Sequence, residues 1–183
     1  MSSTQGEQLY RVGLAIDDTD RRYQATHRLI LARHPSESVG RLMVRVLAFA
    51  HNAEAGLRFT KGLCVAEQPD LWSLDPQGGI RHWIGVGEPD VRRVIRACRR
   101  SLRVTQYAYH ERSVASWYRS ILPKIETYPN LVVFSIGQRE LQALAELASL
   151  RLQLHCRITD GTLHFCANSQ EVVVAPRLLH GSD

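Results

Sequence analysis

Between residues 69 and 109 the order of short segments leaves this chain few ways to fold. Residues 71–74 and 80–86 are apolar runs of strand length, and the Asp75-Pro76-Gln77-Gly78-Gly79 stretch between them is turn chemistry, so together they predict a β-hairpin. Asp90 then caps a helix whose apolar stripe is Val91, Val94, Ile95 and Cys98, with five arginines around its other faces. Residues 103–109 return as a strand. A hairpin that continues through a helix into another strand calls for a mixed sheet with helices packed on it, an α+β class.

The flanking segments extend this architecture. Residues 9–16 and 23–31 read as extended runs around Asp17-Asp18-Thr19-Asp20, an N-terminal hairpin. Pro35-Ser36-Glu37 opens a helix predicted to reach residue 54, with Ser36 as N-cap, Glu37 at the positive end of the dipole, and Val39, Leu42, Met43, Val46, Leu47 and Ala50 as its buried stripe. Residues 57–68 read as an irregular connection. Beyond it the pattern predicts a helix over 111–124, a strand over 131–136, a helix over 138–150, and a C-terminal β extension over 152–158, 163–167 and 171–174.

At 183 residues this fits one domain, 1–183, long enough to bury roughly 70% of the surface its unfolded chain exposes. No apolar stretch approaches the roughly 18 residues of a membrane span, and the N-terminus lacks a secretory pattern, so a soluble, cytoplasmic protein with no membrane partner is expected. The four cysteines are widely spaced, which argues for reduced thiols over a disulfide framework. A net charge of +5 permits an anionic partner.

Several patterns bear on chemistry. Gly85-x-Gly87-x-x-Asp90 invites comparison with a dinucleotide fingerprint, but Asp90 replaces the third glycine and would repel phosphate, so no organic cofactor is expected. Arg92, Arg93, Arg96, Arg99 and Arg100 on one helix could contact a nucleic-acid backbone without regard to sequence; the plain alternative is a solvated polar face. If Asp160-Gly161 forms a two-residue turn, His155 lies opposite Cys166 and Arg157 opposite His164; Arg157 disfavours zinc there. Asp17, Asp18 and Asp20 are explained by Asx-turn formation.

Arg33-His34-Pro35-Ser36-Glu37, Leu63-Cys64, Pro69-Asp70-Leu71-Trp72, Trp83-Ile84-x-Val86-Gly87-x-Pro89-Asp90 and Tyr107-Ala108-Tyr109 together resemble the YaeQ family of bacterial proteins over nearly the whole chain. The resemblance implies a PD-(D/E)XK nuclease-like core of helix, β-hairpin, helix and strand. In such nucleases carboxylates converge on Mg²⁺ or Mn²⁺, which activates water and neutralises charge on the scissile phosphate. Carried over, Glu37 is the helix acid; Asp75 is the hairpin acid, with Asp70 as rival; these three would hold the metal, and Glu37 and Asp75 would be catalytic. The family commonly has a glutamate where this chain has Gly85, and Gly87 stands at the lysine position, which counts against hydrolysis. Two expectations follow: a metal-dependent nuclease-like protein acting on or binding nucleic-acid phosphodiesters, or a non-catalytic nucleic-acid- or protein-binding module on the same scaffold.

Overall fold

A computed structural model describes residues 7–61, 65 and 67–182. Leu63 and Cys64 of the family pattern lie outside the described residues, as do residues 1–6. The elements run β1 (Gln8–Asp18), β2 (Tyr23–Arg33), α1 (Val39–His51), β3 (Arg58–Phe59), β4 (Leu71–Leu74), β5 (Ile80–Val86), α2 (Val91–Arg100) and β6 (Ser101–Ala108). They continue with α3 (Glu111–Ile125), β7 (Leu131–Ser135), α4 (Gln138–Glu146), β8 (Arg151–Thr159), β9 (Thr162–Ala167), β10 (Gln170–Val174) and β11 (Arg177–His180).

The α+β class holds, but the strands divide between two mixed sheets. One has the order β10-β9-β8-β1-β2, the other β11-β7-β6-β5-β4-β3. Period-2 alternation explains the first: Tyr10, Val12, Leu14 and Ile16 of β1 face inward with Leu152, Leu154, Cys156 and Ile158 of β8, its parallel neighbour. Both hairpins form as antiparallel pairs, and β5, β6 and β7 then run parallel to one another. Asp160 and Gly161 take positive φ in a two-residue turn, and His155 pairs with Cys166 as expected. β11 carried no clear sequence signal; it adds antiparallel to β7.

The larger core gathers side chains from both sheets around α1, whose residues 41–50 are all buried. A helix enclosed on every side has no solvent face for Arg41 and Arg45, so both guanidinium groups must find partners inside the protein. A smaller core lies between β5–β7 and the helices α2 and α3.

The N-cap of α1 is Ser38 rather than Ser36, with Ser38 Oγ accepting from Arg41 N at 3.1 Å. Ser36 is occupied one turn earlier, its Oγ 2.6 Å from His34 Nδ1. Glu37 therefore precedes the helix instead of lying in its first turn. The helix ends at His51, and α4 at Glu146, each a few residues short of the sequence expectation.

Candidate functional site

Arg41 ties the entrance of α1 to the start of β4. Its Nη1 donates to Glu37 Oε1 at 2.7 Å, and its Nη2 donates to Asp70 Oδ1 at 2.7 Å and to the Val86 carbonyl at 3.2 Å. Arg45, one turn along α1, donates from Nη1 to both Glu37 oxygens at 3.3 and 3.1 Å. Asp70 Oδ2 accepts from Val86 N at 2.8 Å. Glu37 and Asp70 are each 3% exposed, so this is a buried cluster of two carboxylates and two guanidiniums whose formal charges cancel. Burial works against the charged form of Arg41, but the Asp70 and Glu37 carboxylates outweigh it and raise the guanidinium above its ordinary value.

Beside this cluster a cavity of about 410 Å³ opens between β5, β6 and the start of α2. Gly85, Gln106, Glu88, Arg93, Tyr109 and Asp90 are among its lining residues. Gln106 is the partner of Gly85 in the parallel β5–β6 pair, and its amide nitrogen donates to the Gly87 carbonyl at 2.7 Å. A Cβ on Gly85 would lie 2.3 Å from Gln106 Oε1, so the Gln106 carboxamide occupies the space a Gly85 side chain would need. Glu88 turns back to the opposite rim, where Oε1 accepts from Tyr109 N at 2.7 Å and His110 N at 3.0 Å, and Oε2 bonds His110 Nδ1. Burial pushes the Tyr109 phenol up to about 12, so it stays protonated.

Of the sequence-predicted acids, the structure brings together Glu37 and Asp70 and leaves Asp75 apart. At roughly 3.3 Å per residue, β4 sets Asp75 about 16 Å along the chain from Asp70. The Asp75 carboxylate instead organises the hairpin turn, its Oδ1 accepting from Gln77 N at 2.9 Å and Gly79 N at 2.7 Å. The expected meeting of Glu37 with Asp75 across one crevice is corrected accordingly: the acid facing Glu37 through Arg41 is Asp70.

The five arginines of α2 also part company. Arg93 lines the cavity and donates to the Gln68 carbonyl at 2.7 Å, and Arg96 pairs with Glu67 at 2.6 Å. Both fasten the segment before β4 to the helix. Arg92, Arg99 and Arg100 are exposed, with Arg99 Nε 3.2 Å from the Tyr128 hydroxyl. Sequence reasoning missed Arg41, Arg45 and Gln106. The first two carried a usable signal, since arginines four and eight residues after the acid at 37 recur at the spacing of one helix face, although Glu37 itself lies just before α1.

The residues present do not fit a divalent metal. A hard cation asks for about six oxygen ligands, whereas every oxygen of Glu37 and Asp70 is taken by an arginine or a backbone amide. Gly85 offers no third carboxylate, and Glu88 spends both oxygens on the loop after β6. Among the described residues no cluster of three or more His, Cys, Asp or Glu side chains could hold a metal ion.

The family model described as "YaeQ protein" matches residues 4–176. The "Uncharacterized protein YaeQ" of Escherichia coli K12 is 33% identical over 155 residues, covering 85% of this chain and 86% of that protein. Its Salmonella typhi counterpart is 34% identical over the same span. Two solved structures superpose closely. The YaeQ protein from Xanthomonas axonopodis pv. citri has a TM-score of 0.93 at 35% identity, covering 96% of this chain and 99% of that one. The YaeQ protein from Pseudomonas syringae also has a TM-score of 0.93, at 30% identity, covering 98% and 99%.

Proposed function

The chain belongs to the YaeQ family, and from that premise we propose that it works as a non-catalytic nucleic-acid-binding module on a scaffold related to the PD-(D/E)XK nucleases. The kinship rests on element order: apart from the two-residue β3 that pairs with β4, α1, the β4–β5 hairpin, α2 and β6 follow one another as helix, hairpin, helix and strand. One observation carries the loss of catalysis. Arg41 stands between Glu37 and Asp70, where a nuclease of this type would hold its cation, so the positive charge there is a fixed side chain. A guanidinium has no exchangeable water to activate and does not give up its proton at neutral pH.

The partner reading rests on surplus charge. With the central cluster neutral, the net charge of +5 is carried by surface side chains, including Arg92, Arg99 and Arg100 on α2. Phosphate contacts by such side chains confer affinity without sequence choice and weaken as salt rises. Hydrolysis of labelled DNA and RNA with Mg²⁺ or Mn²⁺, together with binding measured between 50 and 200 mM salt, tests both halves. The expected result is salt-sensitive binding with no metal-dependent cleavage. Cleavage lost on Glu37→Gln or Asp70→Asn would overturn the non-catalytic reading, and no binding to either nucleic acid at 50 mM salt would overturn the nucleic-acid reading in favour of a protein partner.

A further inference from the structure

Among the described residues no helix or further strand layer covers the outer face of the five-stranded sheet, whose outward positions are exposed or partly exposed, and its charges are unevenly placed. Outward positions alternate with the buried ones, and Arg11 on β1 faces Arg151 on β8 as its direct partner in the parallel pair. On the other side of β1, Arg11 is opposite Ile30, which puts Arg28 of β2 at the diagonal position. Three exposed arginines therefore follow one another across three adjacent strands, Arg11 and Arg151 about 4.8 Å apart across the ladder and Arg28 about 7–8 Å from Arg11 on the diagonal. No acidic side chain pairs with any of them among the described residues. At the far end of the face the charges do balance: Arg157 lies opposite Asp17, and His164 contacts Glu171. Like charges directly opposite on neighbouring strands repel, and an anion laid across them removes that cost.

We infer that Arg11, Arg28 and Arg151 form a second phosphate-contacting surface, the open sheet face, on which a nucleic-acid backbone lies across β2, β1 and β8. The choice of partner rests on the nucleic-acid reading above; the placement of the surface does not. The outward positions of β1, β2 and β8 present no Phe, Tyr or Trp and a single imidazole, His155, so there is no row of rings for successive bases to stack on and contact falls mainly on phosphates. Between the arginines and the balanced end, Gly13 and Ala15 keep the face low, with the Gln153 side chain lying over Gly13. A lipid surface would call for a run of apolar side chains among the cations, and the exposed large apolar residues at this end, Leu9, Ile30 and Leu150, are single residues from three separate segments.

The test is fluorescence anisotropy with a labelled 20-base-pair DNA duplex and an RNA duplex of the same sequence. It compares the parent, an Arg11→Gln/Arg28→Gln/Arg151→Gln variant, and an Arg92→Gln/Arg99→Gln/Arg100→Gln variant, with folding checked by circular dichroism. If the triple sheet variant fails to fold, Arg28→Gln alone is measured. The expected result is at least tenfold weaker binding by the sheet variant at low salt and a salt dependence reduced by about 2 to 3 in log–log slope, since each phosphate contact contributes about 0.9 on a duplex. A sheet variant that binds like the parent while the α2 variant has lost binding overturns this inference and leaves the module reading standing. A parent that binds neither duplex at 50 mM salt overturns both. Arginine-dependent binding to phosphatidylserine vesicles with no duplex binding replaces the nucleic acid by a membrane and overturns the inference as stated.

Discussion

Gln106 fills the position that a side chain on Gly85 would occupy: a Cβ there would come within 2.3 Å of Gln106 Oε1. The two residues are direct partners across β5 and β6, so neither can grow without the other yielding. Gly85→Glu alone should therefore destabilise the fold by about 1–3 kcal/mol, the usual cost of overfilling a packed site. Adding Gln106→Ala should recover part of that loss, a non-additivity read as a double-mutant cycle in urea unfolding. Strict additivity would mean that the two side chains do not compete for one space.

Among the described residues Arg41 alone is hydrogen-bonded to both Glu37 and Asp70, at 2.7 Å each. Removing one partner from a buried ion cluster leaves an uncompensated charge, so Arg41→Met should cost about 3–5 kcal/mol by chemical denaturation. The same variant leaves two carboxylates with fewer donors, and Mn²⁺ should raise its melting temperature while leaving that of the parent unchanged. A variant as stable as the parent would show that the cluster contributes little to the fold.

His82 is 2% exposed, with Nε2 2.9 Å from Thr105 Oγ1 and 3.2 Å from Arg103 Nε. Burial, reinforced by Arg103 and Arg21, pushes its imidazole down to about 3. A histidine whose folded pKa lies below its unfolded value of about 6.5 stays neutral in the native state while the unfolded chain takes up a proton. Stability should then fall as pH drops below about 6.5 and continue to fall toward pH 3, by up to about 1.4 kcal/mol per pH unit from this group. His82→Gln should flatten that part of the profile in urea titrations at pH 5 and 7. An unchanged slope would assign it to other groups.

Most of the chain's elements were legible because they announce themselves locally. The β4–β5 hairpin, the Asp90-capped α2 and the His155–Cys166 register follow from turn residues and period-2 alternation. The hairpin acid was not legible. A symmetric ladder counted back from the Leu74–Ile80 pair would set Asp70 against Ile84, but a bulge between Ser73 and Leu74 shifts the register by one, pairing Leu71 with Ile84 and bringing Asp70 alongside Gly85. The Glu37–Arg41–Asp70 bridge joins residues 29 apart in sequence at one end, and it depends on α1 being enclosed between two sheets, which no local pattern reveals. Glu37 was recognised through its family resemblance and read as a helix-dipole acid from its neighbours; its buried arginine partners give it a different setting.

Isothermal titration of Mn²⁺ into the parent protein tests the central claim most directly, because it asks whether the place between Glu37 and Asp70 is already taken by Arg41. The expected result is no heat beyond dilution. Saturable binding that disappears with Glu37→Gln or Asp70→Asn would contradict it and return the pair to the role of metal ligands.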